Sequence, residues 1–298
     1  MFYGFKHSPG VEITPECVPC LLGRVIYEAR LADPAKVPAA IRSACAVFAR
    51  RYRPGRVSAR LATEVHRAVY RALGTRDPYA KVKRDSNRAV LRLFPRAERL
   101  VERSRDRLRA AVLCSIAGNI LDFGIGGQLS GPGGLDRAFG RIVREGLAVD
   151  HLPRIARYLR QGSRVLYFAD NCGEIVLDRL VLRELRRRGA RVTLVVRGEP
   201  VLTDATMEDV EELGLRSESD DVMDTGSFAV GVDFDRIPAR LRRALGQRDL
   251  IVSKGMANFE SFSGTRWRPI IHLMRTKCGP VAEAAGAPRD ASVAMLWT

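Results

Sequence analysis

The pattern of apolar positions changes once along the chain. Between about Pro15 and Leu121, apolar residues recur at three- and four-residue spacing, as in LLGRVIYEARL (21–31), AAIRSACAVFARRY (39–52), ARLATEVHRAVYRAL (59–73) and RAERLVERSRDRLRAAVLCSIAGNIL (96–121). Charges fill the positions between, which predicts helices with one buried face each. Breaks are expected at Asp33-Pro34, Arg53-Pro54-Gly55, Gly74 to Pro78 and Phe94-Pro95.

After about Ala148, short apolar runs alternate with helical ones. RVLYFA (164–169) and ARVTLVVR (190–197) read as buried strands around the helix EIVLDRLVLRELRRRG (174–189). SFAVGVDF (227–234), DLIVSK (249–254), RPIIHLMR (268–275) and ASVAMLW (291–297) are further strand candidates. MEDVEELG (207–214) and PARLRRALGQR (238–248) are helical spacers. The alternation predicts an α/β fold with a mostly parallel sheet covered on both faces. The expected organisation is a multihelical domain over 1–150 and an α/β domain over 151–298.

At 298 residues and 46% hydrophobic, the chain can bury a sizeable core. AAVLCSIAGNIL (110–121) carries no charge but is shorter than the ~20 residues a membrane span needs. MFYGFKHSPG at the N-terminus has no long apolar stretch of the signal-peptide kind, so a cytoplasmic protein without a membrane partner is expected. The net charge of +16 would suit nucleic acid or anionic substrates. Arg supplies most of it, spread along the chain without a basic tail, and no nucleic-acid motif accompanies it, which argues against nucleic acid as the partner. Six scattered cysteines include one CxxC, Cys17-Val18-Pro19-Cys20, with no second pair to close a zinc site and no preceding strand of the thioredoxin kind. The pair reads as packing or as a redox-sensitive gate. GIGGQLSGPGG (124–134) reads as a hinge or a loop over a site, without dinucleotide-binding spacing.

Chemistry gathers at the ends of the expected strands, where ligands bind in parallel sheets. The first strand ends in Asp170-Asn171, the second leads to Asp204, the third gives Ser253, Lys254, Asn258 and Glu260, and the fourth gives Arg275, Lys277 and Cys278. Two carboxylates and an amide oxygen are hard ligands that suit Mg²⁺ or Mn²⁺. Lysines beside them would neutralise a phosphoryl group, so the set points to phosphate-ester hydrolysis. Taken alone, Asp170-Asn171 reads equally as an Asx turn or a helix N-cap.

In order, Asp170-Asn171-Cys172-Gly173-Glu174, Thr203-Asp204-Ala205-Thr206, Thr225-Gly226-Ser227, Ser253-Lys254-Gly255 with Asn258 and Glu260, and Lys277-Cys278 resemble the metal-dependent damage-control phosphatases, also called domain-of-unknown-function family eighty-nine. The helical half resembles its prokaryotic, CxxC-containing branch through Cys17 and Cys20, Asp77-Pro78-Tyr79, Lys81, Asn87 and Ala117 to Phe123. The resemblance spans roughly residues 15–285. It implies a three-layer α/β/α domain joined to a helical bundle. It also implies one divalent ion (Mn²⁺, Mg²⁺, Co²⁺ or Ni²⁺) on Asp170, Asn171 and Asp204. The implied reaction is hydrolysis of small phosphate monoesters, such as sugar phosphates, phosphopantetheine derivatives or other damaged metabolites, by a metal-activated water. The family's Arg-Thr-x-Lys is here Arg275-Thr276-Lys277-Cys278, one residue shorter. One branch is linked to protein carboxyl methylation, but no glycine-rich S-adenosylmethionine loop is present.

On this footing Asp170, Glu174 and Lys254 are candidate catalytic residues, with Lys254 at the phosphoryl group and Glu174 orienting water. Glu174 reads equally as a favourable first-turn charge. Asn119, Asp122, Thr225, Ser227, Asn258 and Lys277 are candidate substrate contacts; Asn119 and Asp122 also fit a helix C-cap. A haloacid-dehalogenase-type mechanism would need a second acid at position 172, which is Cys172. The remaining alternative is a non-catalytic nucleotide- or RNA-binding regulatory protein.

Overall fold

The computed structural model describes residues 10–119 and 134–298, so Asp122, most of the glycine-rich run and the N-terminal nine residues lie outside the described residues. The elements run α1 (Cys17–Ala32), α2 (Val37–Arg51), α3 (Ser58–Leu73), α4 (Ala80–Glu102), α5 (Arg107–Gly118), α6 (Gly134–Glu145), β1 (Val149–Asp150), α7 (Leu152–Ile155), β2 (Arg164–Phe168), α8 (Glu174–Arg187) and β3 (Arg191–Val196). They continue as α9 (Met207–Glu212), β4 (Asp221–Asp224), α10 (Ala239–Gln247), β5 (Leu250–Lys254), α11 (Gly255–Ser263), β6 (Ile270–Arg275), α12 (Gly279–Ala285) and β7 (Ser292–Trp297).

Three expectations of detail are corrected. The helix does not break at Phe94-Pro95: α4 runs through Pro95. Pro95 lies on the solvent face, where the carbonyl deprived of a donor can reach water, while Leu93, Ala97 and Val101 hold the opposite face in the core. The segment 96–121 is not one helix. It breaks between α4 and α5, where the Asp106 carboxylate accepts the Arg109 N–H at 3.0 Å and caps α5. SFAVGVDF is not a strand; its amides are satisfied by side chains, with Val230 donating to Thr63 Oγ1 and Val232 to Ser261 Oγ. The strand in that region is the acidic edge β4.

The sheet order is β1-β7-β6-β5-β2-β3-β4, parallel except where β6 meets β7. Successive residues of β2 alternate between two cores. Val165 and Tyr167 join the layer formed by α4, α5, α6 and α8, while Leu166 and Phe168 join Leu241, Leu245 and Phe262 of α10 and α11 on the other face. α1–α3 keep a smaller core of their own around Val25, Leu61, Val65 and Val69. The chain builds outward from β2 through β3 to β4, then returns to β5 and builds outward the other way. The reversal lies between β2 and β5, and such a switch point opens a crevice beyond the carboxyl ends of the strands. Asp170 follows β2 and Lys254 ends β5. Among the described residues no helix is long and apolar enough to cross a membrane.

Candidate active site

Asp170 emerges where the buried apolar run of β2 ends. Its carbonyl accepts the Ala205 N–H at 2.8 Å, and Cys172 N–H donates to the Thr203 carbonyl at 2.8 Å. These bonds form a short antiparallel bridge that sets Asn171 opposite Asp204. Residues 32 positions apart are thereby joined again through their side chains, with Thr203 Oγ1 donating to Asn171 Oδ1 at 2.6 Å. Asn171 Nδ2 donates to Asp170 Oδ2 at 2.6 Å. The N-cap of α8 is Gly173, with no side-chain cap bond. The Asp170 and Asn171 side chains therefore do not serve as its cap and bond to each other, to Asn119 and to Thr203 instead.

Behind this pair lies a second row of charge. Glu174 Oε2 accepts from Asn119 Nδ2 at 2.5 Å, and the same amide reaches Asp170 Oδ2 at 3.3 Å. Lys254 Nζ, fully buried, donates to Glu174 Oε1 and, at 2.8 Å, to Asp178 Oδ1. Ser115 Oγ adds a bond to Asp178 at 2.6 Å. Burial works against the Lys254 ammonium, but Asp178 and Glu174 outweigh it and raise its pKa, so it stays charged.

Arg197 completes the cluster from the end of β3. Its Nε donates to Asp204 Oδ2 at 2.5 Å and its Nη1 to Asn258 Oδ1 at 2.9 Å. Asn258 is fully buried and spends its amide hydrogens on the Ala169 and Lys254 carbonyls. Gly255, at φ +73°, lies against Asp170 so closely that a β-carbon there would overlap the carboxylate. A glycine is required at that position for both reasons.

The charges decide what this site can hold. Asp170, Asp204, Glu174 and Asp178 are all buried, and among the described residues Lys254 and Arg197 are buried cations set beside them. Carboxyl groups outnumber these cations four to two. Burial, then the Asp204 and Glu174 charges, hold the Asp170 carboxyl well above its usual range. Burial likewise raises Glu174 despite Lys254. A divalent cation among hard oxygen donors would relieve this excess. Among the described residues no three His, Cys, Asp or Glu side chains converge as ligands of one ion, so such a cation would need the Asn171 amide beside Asp170 and Asp204.

A further network fixes both loops from beneath. Asp209 accepts from Asn87 Nδ2 at 2.9 Å and from Cys172 Sγ at 3.1 Å through Oδ1, and from the Thr206 N–H at 2.9 Å through Oδ2. Asn87 Oδ1 in turn accepts the Gly173 N–H at 2.6 Å. Burial, then Asp209, raise the Cys172 thiol, which keeps its proton and donates it.

The remaining sequence candidates lie around this centre. Lys277 Nζ donates to the Asn119 carbonyl at 2.8 Å, so the β6 rim holds the residue that bridges Asp170 and Glu174. Thr225 accepts the Gly198 N–H at 3.0 Å, one residue beyond Arg197, and Ser227 is buried with no hydrogen-bond partner among the described residues. Neither bonds to the carboxylate cluster. A cavity of ≈ 1970 Å³ lies between α1, α3, α6 and the rim, with Ser58, Leu202, Met256, Glu260 and Lys277 among its walls. Cys17, Cys20 and Cys278 line it too. A depression of ≈ 620 Å³ by Gln161, Arg186 and Arg191 touches none of these groups.

Sequence reading overlooked Arg197, Asp178 and Asp209. Arg197 carried a usable signal, a charge closing an apolar strand. Asp209 stands in an acidic stretch that reads as a solvated helix face, yet it is buried and closes a capping box with Thr206 at the start of α9. The T-x-x-D spacing held that signal.

A profile of the damage-control phosphatase ARMT1-like domain matches residues 13–293. A damage-control phosphatase of Archaeoglobus fulgidus is 39% identical over 278 residues, covering 93% of this chain and 96% of that protein. One from Pyrococcus horikoshii is 26% identical and covers 96% and 98%. The crystal structure of a DUF89 family protein from Pyrococcus horikoshii superposes with a TM-score of 0.85 at 25% identity, covering 96% of this chain and 99% of that one. With the profile spanning nearly the whole chain and the site's loops joined as described, the chain belongs to the ARMT1-like, DUF89 damage-control phosphatase family.

Proposed function

We propose that this protein is a divalent-metal-dependent phosphatase of small phosphate monoesters. The observation that carries the proposal is the cluster of four buried carboxyl groups, Asp170, Asp204, Glu174 and Asp178, beside Asn171 at the sheet's switch point. Asp170, Asn171 and Asp204 are the residues that would hold the ion. When bound, Mg²⁺, Mn²⁺, Co²⁺ or Ni²⁺ supplies Lewis-acid charge and acidifies water.

The chain's own groups do the rest. Hydrolysis forms one P–O bond to water and breaks the P–O bond to the leaving alcohol; water gives up one proton and the alcohol takes one. Glu174 is held by Lys254 and Asn119 beside Asp170, where it can orient the attacking water. Lys254 and Arg197 bring positive charge to a site where a phosphoryl group adds negative charge. The cavity between α1, α3, α6 and the rim has room for the organic part of a sugar phosphate or a similar metabolite.

The test is release of phosphate from an aryl phosphate and from a panel of sugar phosphates with Mn²⁺ or Co²⁺. Asp170→Ala and Asp204→Ala are expected to lose at least ~1000-fold in turnover while remaining folded. Wild-type turnover in both variants would sink the proposal.

A further inference from the structure

Arg197 is 1% exposed and held in three ways. Its N–H donates to the Ala205 carbonyl at 2.9 Å, its Nε binds Asp204 and its Nη1 binds Asn258. The third nitrogen is different. Nη2 is buried, makes no hydrogen bond among the described residues and lies 3.8 Å from Asp170 Oδ1. That is beyond hydrogen-bond reach, yet it is directed at the side of Asp170 that the Asn171 and Asn119 amides leave alone, since both bind Oδ2. Burying a guanidinium with an unspent donor is unfavourable unless a ligand completes it.

Lys254 contrasts with this. Its ammonium is committed to Glu174 and Asp178. Arg197 instead keeps one buried donor, and its guanidinium reaches both proposed metal ligands, binding Asp204 and lying 3.8 Å from Asp170 Oδ1. A guanidinium is also the better shape for the task, being planar, always charged and matched to phosphate oxygens.

We infer that Arg197 is a catalytic residue whose Nη2 donates to a non-bridging oxygen of the phosphoryl group, while Nε and Nη1 anchor the fork to Asp204 and Asn258. The inference rests on the phosphatase reading above. It makes Arg197 more than a counter-ion for Asp204: replacing the fork by a single charge that still pairs with Asp204 should cost turnover without costing metal.

Arg197→Lys keeps one positive charge able to pair with Asp204 and removes the fork. The variant and the wild-type chain are compared for thermal unfolding, for Mn²⁺ affinity by calorimetry, for inorganic phosphate affinity in the presence of Mn²⁺, and for aryl phosphate turnover. The expected result is a folded variant with Mn²⁺ affinity within a few-fold of wild type, kcat lower by about 100-fold and weakened phosphate binding. Mn²⁺ affinity lost in proportion to kcat would overturn the inference, because Arg197 would then act only through Asp204. Unchanged kcat/KM or unchanged phosphate affinity would overturn it as well.

If the variant fails to fold, wild-type chain labelled with ¹⁵N-arginine is titrated with inorganic phosphate in the presence of Mn²⁺. A shift of the buried Arg197 side-chain resonances supports the contact, and their indifference overturns it. A wild-type chain that neither turns over aryl phosphates nor binds phosphate overturns the phosphatase reading and this inference together. Wild-type turnover that survives Arg197→Lys overturns the inference alone.

Discussion

The Cys172 thiol donates to Asp209 Oδ1 across 3.1 Å, and through that bond the loop after β2 is fastened to the first turn of α9. The same carboxylate gathers Asn87 and the Thr206 amide. Asp209→Ala leaves these buried donors without an acceptor and is expected to cost about 3 kcal/mol of stability. Cys172→Ala removes one weak donor and should cost about 1 kcal/mol with turnover largely kept. Urea unfolding of the two variants checks the order. A Cys172→Ala protein without activity would instead give the thiol a chemical role.

Gly255 tests the close approach to Asp170. Gly255→Ala must strain a positive φ and displace the carboxylate it touches. The expected outcome is a folded chain whose Mn²⁺ affinity is about 10- to 100-fold weaker. Calorimetric titration of the ion reads this without reference to activity, and wild-type affinity would show that Asp170 is not a ligand.

Glu260 gives a pH dependence. It lines the cavity half-buried, accepts a hydrogen bond from Ser58 Oγ, and burial raises it from 4.5 to about 7 against the lowering effect of that bond. An acid with a raised folded pKa holds its proton longer in the folded chain than in the unfolded one. Stability from this group is therefore complete below about pH 4.5 and falls as pH rises through about 7. The loss is at most about 2 kcal/mol, because the side chain is not wholly removed from solvent. Glu260→Gln should flatten that part of the profile, which unfolding free energies measured between pH 5 and 8 would reveal.

The strands β2, β3, β5, β6 and β7 were legible because they are continuous apolar runs bounded by turns, of the kind a doubly covered parallel sheet buries; the two-residue β1 and the acidic edge β4 carry no such run. The order of strand ends was legible for the same reason, and with it Asp170, Asn171, Asp204 and Lys254. Partnership was not. Asp178 and Asp209 look like surface charges in a one-dimensional pattern, and only the packing of α4 and α5 against α8 and α9 buries them. Pro95 misled in the opposite direction, because a proline's effect depends on which face of the helix it occupies. SFAVGVDF carried strand composition, yet its amides found Thr63 and Ser261 instead of a neighbouring strand.

The helices α1–α3 bear on the site through loops. Tyr70 OH accepts the Leu202 N–H at 3.0 Å, and Leu202 holds a left-handed φ of 49° two residues before Asp204. Ser58 and Thr63 likewise reach Glu260 and Val230. The helical layer therefore shapes the cavity and the Asp204 loop together, so in the proposed enzyme substrate choice and metal holding would share one wall.

The most direct measurement is phosphate release by metal-stripped chain as Mn²⁺ is titrated back, with Asp170→Ala beside it. The account predicts no turnover without the ion, saturable recovery in the wild type and none in the variant. Turnover that persists in excess chelator, or recovery in Asp170→Ala equal to the wild type's, would contradict it.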